Sequence, residues 1–215
     1  SFSDCHGSAH GRILSDVKRE RRMKETESKR QIPQSWELLV TKWIALSGTS
    51  VLLREKEEEL EQRFSRDFLR LAGNLKEYEN IQKEQDFIKR EKEAIFYPLG
   101  EGGIFSGLWK MAEEYGKIGM DIDVRKIPIR QETVEITELY NLNPYLLHSQ
   151  GSFLVAAPHG NALLRRLKEA GIEACIIGET TRGPARRLYN GEHIRYLDRP
   201  GKDELEKIGR ALWQS

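Results

Sequence analysis

Apolar positions along this chain repeat in two rhythms, one of period two and one near 3.6, and a band of charge precedes both. Glu37-Leu38-Leu39-Val40-Thr41-Lys42-Trp43-Ile44 has the β-branched and aromatic content of a strand. Gly48-Thr49 then turns the chain into a helix expected from Ser50 to Leu71. Its apolar residues Leu53, Leu60, Phe64, Phe68 and Leu71 recur at helical spacing, and Glu55 to Glu61 form an acidic solvated face. Asn74 to Glu93 reads as a second helical stretch. It is so charged that only Leu75, Tyr78, Ile81, Phe87 and Ile88 can be buried, which makes it peripheral or covered by a partner. A short apolar run, Ala94 to Tyr97, breaks at Pro98 into a glycine-rich turn, Leu99-Gly100-Glu101-Gly102-Gly103. That turn opens onto an amphipathic helix, Ile104 to Tyr115, with Ile104, Leu108, Met111 and Ala112 on one face.

Beyond that helix, strand and helix patterns alternate. Ile118 to Asp123 alternates apolar and polar residues as a half-buried strand does, and Glu132 to Tyr140 is a short helix ended by Asn141-Leu142-Asn143-Pro144. Ser152 to Ala157 has the length and flanks of a buried strand. Asn161 is placed to cap a helix, Ala162 to Ala170, that stops at Gly171. Glu173 to Glu179 is the next strand. Arg186 to Tyr189 and His193 to Leu197, joined at Asn190-Gly191, read as a hairpin. A last amphipathic helix is expected from Asp203 to Trp213. This order predicts an α/β layered domain, a mixed sheet covered by helices, over residues 36–215.

Residues 1–35 do not read as a domain. Arg12 to Arg30 is dominated by Lys, Arg and Glu, and Lys18-Arg19-Glu20-Arg21-Arg22 has the character of a solvated face or linker. Across the 215 residues, 35 Lys and Arg stand against 34 Asp and Glu, so charge gives no argument for nucleic acid or an acidic membrane as partner. No apolar run is long enough to span a membrane, and no secretory core is present, which makes the cytoplasm the default location. Cys5 and Cys175 lie far apart and do not make a disulfide framework.

The candidate chemistry lies at the glycine turn. A strand-to-helix turn rich in glycine exposes backbone N–H groups at the positive end of a helix, where an anion can sit. The same geometry also serves packing alone, because glycine lets a helix approach a sheet closely. No Gly-Lys-Ser/Thr follows, so the turn is not a Walker loop, and it is not a dinucleotide fingerprint. Elsewhere Cys5, His6 and His10 are three potential ligands without a fourth, and no metal site is expected. His159 reads as turn or cap chemistry, Cys175 as a small core residue, and Trp43 and Trp109 as core. Asp121 and Asp123 share one face of their strand and read as its solvent side. Glu101, the one carboxylate in the turn, suits the helix dipole. No catalytic residue is assigned.

Several motifs in order make residues 36–205 resemble the C-terminal domain of the AIR-synthase-related proteins. They are Val40-Thr41-Lys42-Trp43-Ile44-Ala45-Leu46 with Gly48-Thr49, then Gly100-Glu101-Gly102-Gly103-Ile104-Phe105 and Leu108-Trp109. Ile127-Pro128-Ile129 with Gln131-Glu132-Thr133, Asn143-Pro144-Tyr145, Gly151-Ser152 and Gly178 continue the match. Within that superfamily the likeness is greatest to hydrogenase expression/formation protein E and AIR synthase-like members. Selenophosphate synthetase, thiamine-monophosphate kinase and AIR synthase are more distant.

The resemblance implies a two-domain enzyme that uses ATP and Mg2+ to phosphorylate an amide or carboxamide oxygen, with an N-terminal domain carrying the acidic metal ligands and most of the ATP site. The C-terminal domain would close over it, with Gly100, Glu101, Gly102 and Gly103 facing the phosphate of a nucleotide or substrate. Residues 1–35 would then be a linker or the remnant of the N-terminal domain. Relatives often carry Asp-x-Thr-x-Gly-Gly, and here Pro98 or Tyr97 and Gly100 stand at the Asp and Thr places. Hydrogenase-maturation members end in a cysteine, whereas the last residues here are Ala211-Leu212-Trp213-Gln214-Ser215. A second expectation follows from these departures, a non-catalytic binding or assembly module that associates with a protein partner or as a homodimer.

Overall fold

The computed structural model describes residues 30–209. Its strands are β1 (Glu37–Thr41), β2 (Ile95–Pro98), β3 (Gly119–Asp123), β4 (Phe153–Ala157), β5 (Ala174–Thr181), β6 (Arg186–Asn190) and β7 (His193–Tyr196). They form one sheet in the order β2-β4-β1-β5-β3-β6-β7. Every neighbouring pair is antiparallel except β3 and β6, which run parallel. The helices are α1 (Leu46–Glu55), α2 (Glu57–Glu61), α3 (Arg66–Asn74), α4 (Gln82–Ile88), α5 (Gly103–Glu114), α6 (Gln131–Leu139) and α7 (Gly160–Glu169). The expected α/β mixed sheet is the observed one.

Two cores explain why the central strands are apolar on both faces. Leu38 and Val40 of β1, with Leu154 and Ala156 of β4, join a large cluster that includes Leu52 of α1, Ile104, Leu108 and Met111 of α5, and Ile136 of α6. Leu39 points the other way, into a smaller cluster with Phe153, Val155 and Ala157, covered by Leu163 and Leu167 of α7 and by Phe87 and Ile88 of α4. Against β5 the register shifts by one residue between Leu38, which pairs with Gly178, and Leu39, which pairs with Ile176, so Ile177 is the extra residue of a bulge. On the second face α7 packs against β1, β4 and β5. Strands β3 and β6 carry Asp121, Asp123, Arg187 and Tyr189, and the edge strand bears the exposed Ile194 and Tyr196.

Several expected boundaries move. The helix expected from Ser50 to Leu71 is three helices. Lys56 leaves helical geometry, and Ser65, extended at φ −68° and ψ 155°, restarts the chain by accepting the Phe68 N–H. Asn74–Glu93 is likewise divided into a 3-10 turn, Leu75–Glu79, and the short α4. The first strand stops at Thr41 because Lys42 turns left-handed at φ +55°. The loop of the last hairpin is Gly191-Glu192, since Asn190 still pairs with His193. Asn161 does not cap α7, and Glu37 of β1 does. Asp203 begins a 3-10 turn, Glu204–Ile208, and the rest of the expected final helix lies outside the described residues, as do Cys5, His6, His10 and the charged stretch before Arg30.

Candidate functional site

The glycine turn lies between the end of β2 and the start of α5, and four backbone bonds shape it. Leu99 donates to the Ser152 carbonyl at 2.9 Å, which ties the turn to β4. The Gly100 carbonyl accepts from both Gly103 at 3.1 Å and Ser149 at 3.0 Å. Gly102 N–H donates to a carboxylate oxygen of Asp203 at 2.7 Å. Gly102 and Gly103 are left-handed in succession, φ +78° and +67°.

The four motif residues therefore differ in what they do. A Cβ on Gly103 would come within 2.6 Å of the Tyr145 carbonyl and 2.7 Å of the Leu147 carbonyl, so the helix start passes against the 144–147 segment with no room for a side chain. A Cβ on Gly102 would meet the Ser106 side chain at 2.7 Å. A Cβ on Gly100 would meet nothing within 4 Å, and Glu101 projects into solvent. The packing role of the turn thus falls on Gly102 and Gly103.

The anion at this helix N-terminus is supplied by the chain itself. The first turn of α5 holds no acidic residue, and Asp203 fills that role from a distant loop. Asp203 is 2% exposed, and its other oxygen accepts the Leu205 N–H at 2.9 Å. The next residue, Glu204, accepts the Asn143 N–H at 2.9 Å, and Leu205 is fully buried. Beside the turn, Phe105 stacks on Tyr145 with ring centres 5.2 Å apart and planes 10° from parallel, and the Arg195 guanidinium lies 5.4 Å over the Phe105 ring. An oxygen anion is what Gly102 N–H and the α5 dipole suit, since a carboxylate stands there now. In the sequence Asp203 stands only as the start of a helix. Its cap to Leu205 was legible, but its bond to Gly102 spans 101 positions and leaves no local signal.

The other singled-out residues are held by the fold. Asp121 pairs with Arg187 through both oxygens, at 2.7 and 3.0 Å, and Asp123 pairs with Arg125 in the same way, at 3.0 and 2.9 Å. The Arg125 hydrogen bond keeps the Asp123 carboxyl below its usual value. His159 precedes α7 without a side-chain cap bond. Burial pushes the Cys175 thiol up, and its sulfur donates to the Lys126 carbonyl. Neither Trp43 nor Trp109 is core as expected, and both are half-buried. Trp109 lies at the rim of the larger core, and Trp43 is edge-on to Tyr78 with ring centres 4.9 Å apart. Each lies under a guanidinium, Arg186 at 4.4 Å over Trp109 and Arg130 at 5.0 Å over Trp43. Among the described residues, no three His, Cys, Asp or Glu side chains converge to hold a metal ion. No helix among them is long and apolar enough to cross a membrane.

Residues 37–189 match the family model of the AIR synthase related protein, C-terminal domain. Over 84 residues the chain is 31% identical to carbamoyl dehydratase HypE of Rhodobacter capsulatus, a stretch covering 37% of this chain and 24% of that protein. Among solved structures it resembles E. coli HypE, a hydrogenase maturation protein, with a TM-score of 0.63 and 20% identity over 83% of this chain and 54% of that one. A hydrogenase maturation protein HypE solved in complex with ATP gives a TM-score of 0.59 and 15% identity, covering 82% of this chain and 53% of that one. At these identities the solved structures share the fold. The chain spans about half the length of the solved proteins it matches.

Proposed function

The chain belongs to the family of AIR synthase related proteins through their C-terminal domain, and from that premise we propose that its glycine turn faces phosphate in an ATP-dependent amide-activating site. In that chemistry an amide or carboxamide oxygen is phosphorylated and thereby becomes a leaving group. The share of this chain would be positioning: Gly102 N–H donates to a phosphate oxygen, and the N-terminal end of α5 favours its charge. The observation that carries the reading is the Asp203 carboxylate on Gly102 N–H, an oxygen anion held at the place where the proposal puts a phosphate oxygen. Two relatives support the class of reaction: one is named a carbamoyl dehydratase, and another of the same fold was solved with ATP.

The test is calorimetric titration of the full chain with ATP plus magnesium, with ADP as control. Binding that weakens in a folded Gly102→Ala variant supports the reading. Absence of binding by this chain and by any longer form that contains it removes the reading.

One observation favours a second reading, a non-catalytic binding or assembly module. Ile194 and Tyr196 are 55% and 64% exposed on the edge strand β7 of the sheet. In that case titration with nucleotide is silent, and sedimentation shows self-association that Tyr196→Ser weakens.

A further inference from the structure

The segment that carries Asp203 pairs an exposed lead with a buried grip. Its lead, Asp198 to Lys202, is exposed apart from a partly covered Pro200, and it contains Pro200-Gly201. Its grip is three consecutive residues: Asp203 on Gly102, Glu204 on Asn143, and Leu205 in the core. No cation pairs with the Asp203 carboxylate among the described residues. Two backbone N–H groups and the start of α5 hold its charge, although it is 2% exposed. A carboxylate buried without a counter-ion is costly wherever the local potential is not positive, so its place marks the turn as an attractive position for an anion. One N–H cannot serve two anions at once, and like charges so close repel.

We propose that Asp203 is a built-in competitor of phosphate at Gly102, so that the strap Asp198–Ile208 closes the turn in the unliganded chain and lifts when a phosphate-bearing ligand takes the N–H. This rests on the phosphate-facing reading of the turn and adds its regulation. The apparent affinity of the chain for phosphate is then the affinity of the open turn reduced by the fraction of molecules in which the strap is lifted. It also makes strap opening a readout of ligand.

The experiment follows the Gly102 amide resonance of the 15N-labelled full chain during titration with inorganic phosphate at constant ionic strength, in parallel with trypsin cleavage at Lys202 and Lys207. Asp203→Asn keeps the shape of the side chain and removes its charge. It is expected to bind phosphate about tenfold more tightly than the parent. Glu204→Gln loosens the strap without touching the Gly102 donor and is expected to shift affinity in the same direction. In the parent chain, phosphate should speed cleavage at Lys202 and Lys207. Equal phosphate affinity in the parent and both variants, with cleavage indifferent to phosphate, overturns the competitor role and leaves the turn reading standing. A Gly102 resonance that phosphate moves in none of the three chains overturns both.

Discussion

The side-chain carboxylate of Glu37, first residue of β1, accepts the backbone N–H of Gly160, first residue of α7. A helix start leaves N–H groups without partners, and here a strand on the neighbouring layer supplies one acceptor together with a charge suited to the dipole. Gly160 is part of the same contact, because a Cβ there would lie 2.6 Å from the carboxylate. Glu37→Ala should lower stability by about 1 kcal/mol, and Glu37→Gln by less, since the amide oxygen can still accept. Urea unfolding reads this as a lowered midpoint with unchanged slope. A midpoint that does not move in Glu37→Ala would mean that the cap contributes nothing.

Lys42 and Glu84 form a buried ion pair of 2.8 Å, with side chains 7% and 3% exposed. The remaining Lys42 hydrogens go to the carbonyls of Tyr78 at 2.6 Å and Asn80 at 3.1 Å, so the ammonium pins the start of α4 to the end of β1. Lys42→Met strands the Glu84 carboxylate and should cost about 3–5 kcal/mol. Adding Glu84→Leu should return most of that loss, since a well-packed apolar pair is often as stable as a buried ionic one. A double-mutant cycle by urea unfolding measures the coupling. Additive single effects would contradict it.

What could be read in the sequence was whatever repeats over a few residues. Alternation placed β3, the buried run placed β4, and the apolar face from Ile104 to Ala112 placed α5 within a residue or two. The turn between β2 and α5 was legible because Pro98 and three glycines interrupt two strong patterns. The breaks near Lys56 and Ser65 were hidden, since Leu53, Leu60, Phe64 and Phe68 keep a helical period across them and each short helix still buries its share. The decisive polar contacts, at the site and elsewhere in the fold, were hidden for a different reason. Asp203 to Gly102, Glu37 to Gly160 and Lys42 to Glu84 join distant segments, and no local periodicity encodes a tertiary pairing of polar atoms.

Within the glycine motif, substitution should separate the members sharply. Gly100→Ala enters open space without a positive φ and should change stability by no more than about 0.5 kcal/mol. Gly103→Ala combines φ +67° with carbonyl oxygens at 2.6 and 2.7 Å and should cost several times that amount, on the order of 2 kcal/mol or more. Thermal unfolding of the two variants beside the parent decides it. Similar losses for both would show that the close approach of α5 to the Tyr145–Leu147 segment does not dictate the sequence.

Glu91 gives the molecule an acid-sensitive joint between α7 and the entrance to β2. Burial pushes its carboxyl up, but the N–H groups of Glu93 and Ala94, with the Arg166 guanidinium, outweigh that and hold it below its ordinary value of 4.5. A carboxyl whose value is depressed in the folded chain contributes stability that is full above its unfolded value and is lost as pH falls through the folded one. Stability of the parent should therefore decline as pH drops below about 4.5, with Glu91 responsible for part of the slope. Glu91→Gln should cost about 1.5–3 kcal/mol near neutral pH, where charged hydrogen bonds are lost, and progressively less in acid, where the parent carboxyl is itself protonated. Urea midpoints of both chains across pH 3 to 7 on the order of half-unit steps would show the two curves converging at the acid end. Parallel curves would mean that the Glu91 carboxyl keeps its unfolded affinity for protons and that Arg166 and the two N–H groups do not favour its charge.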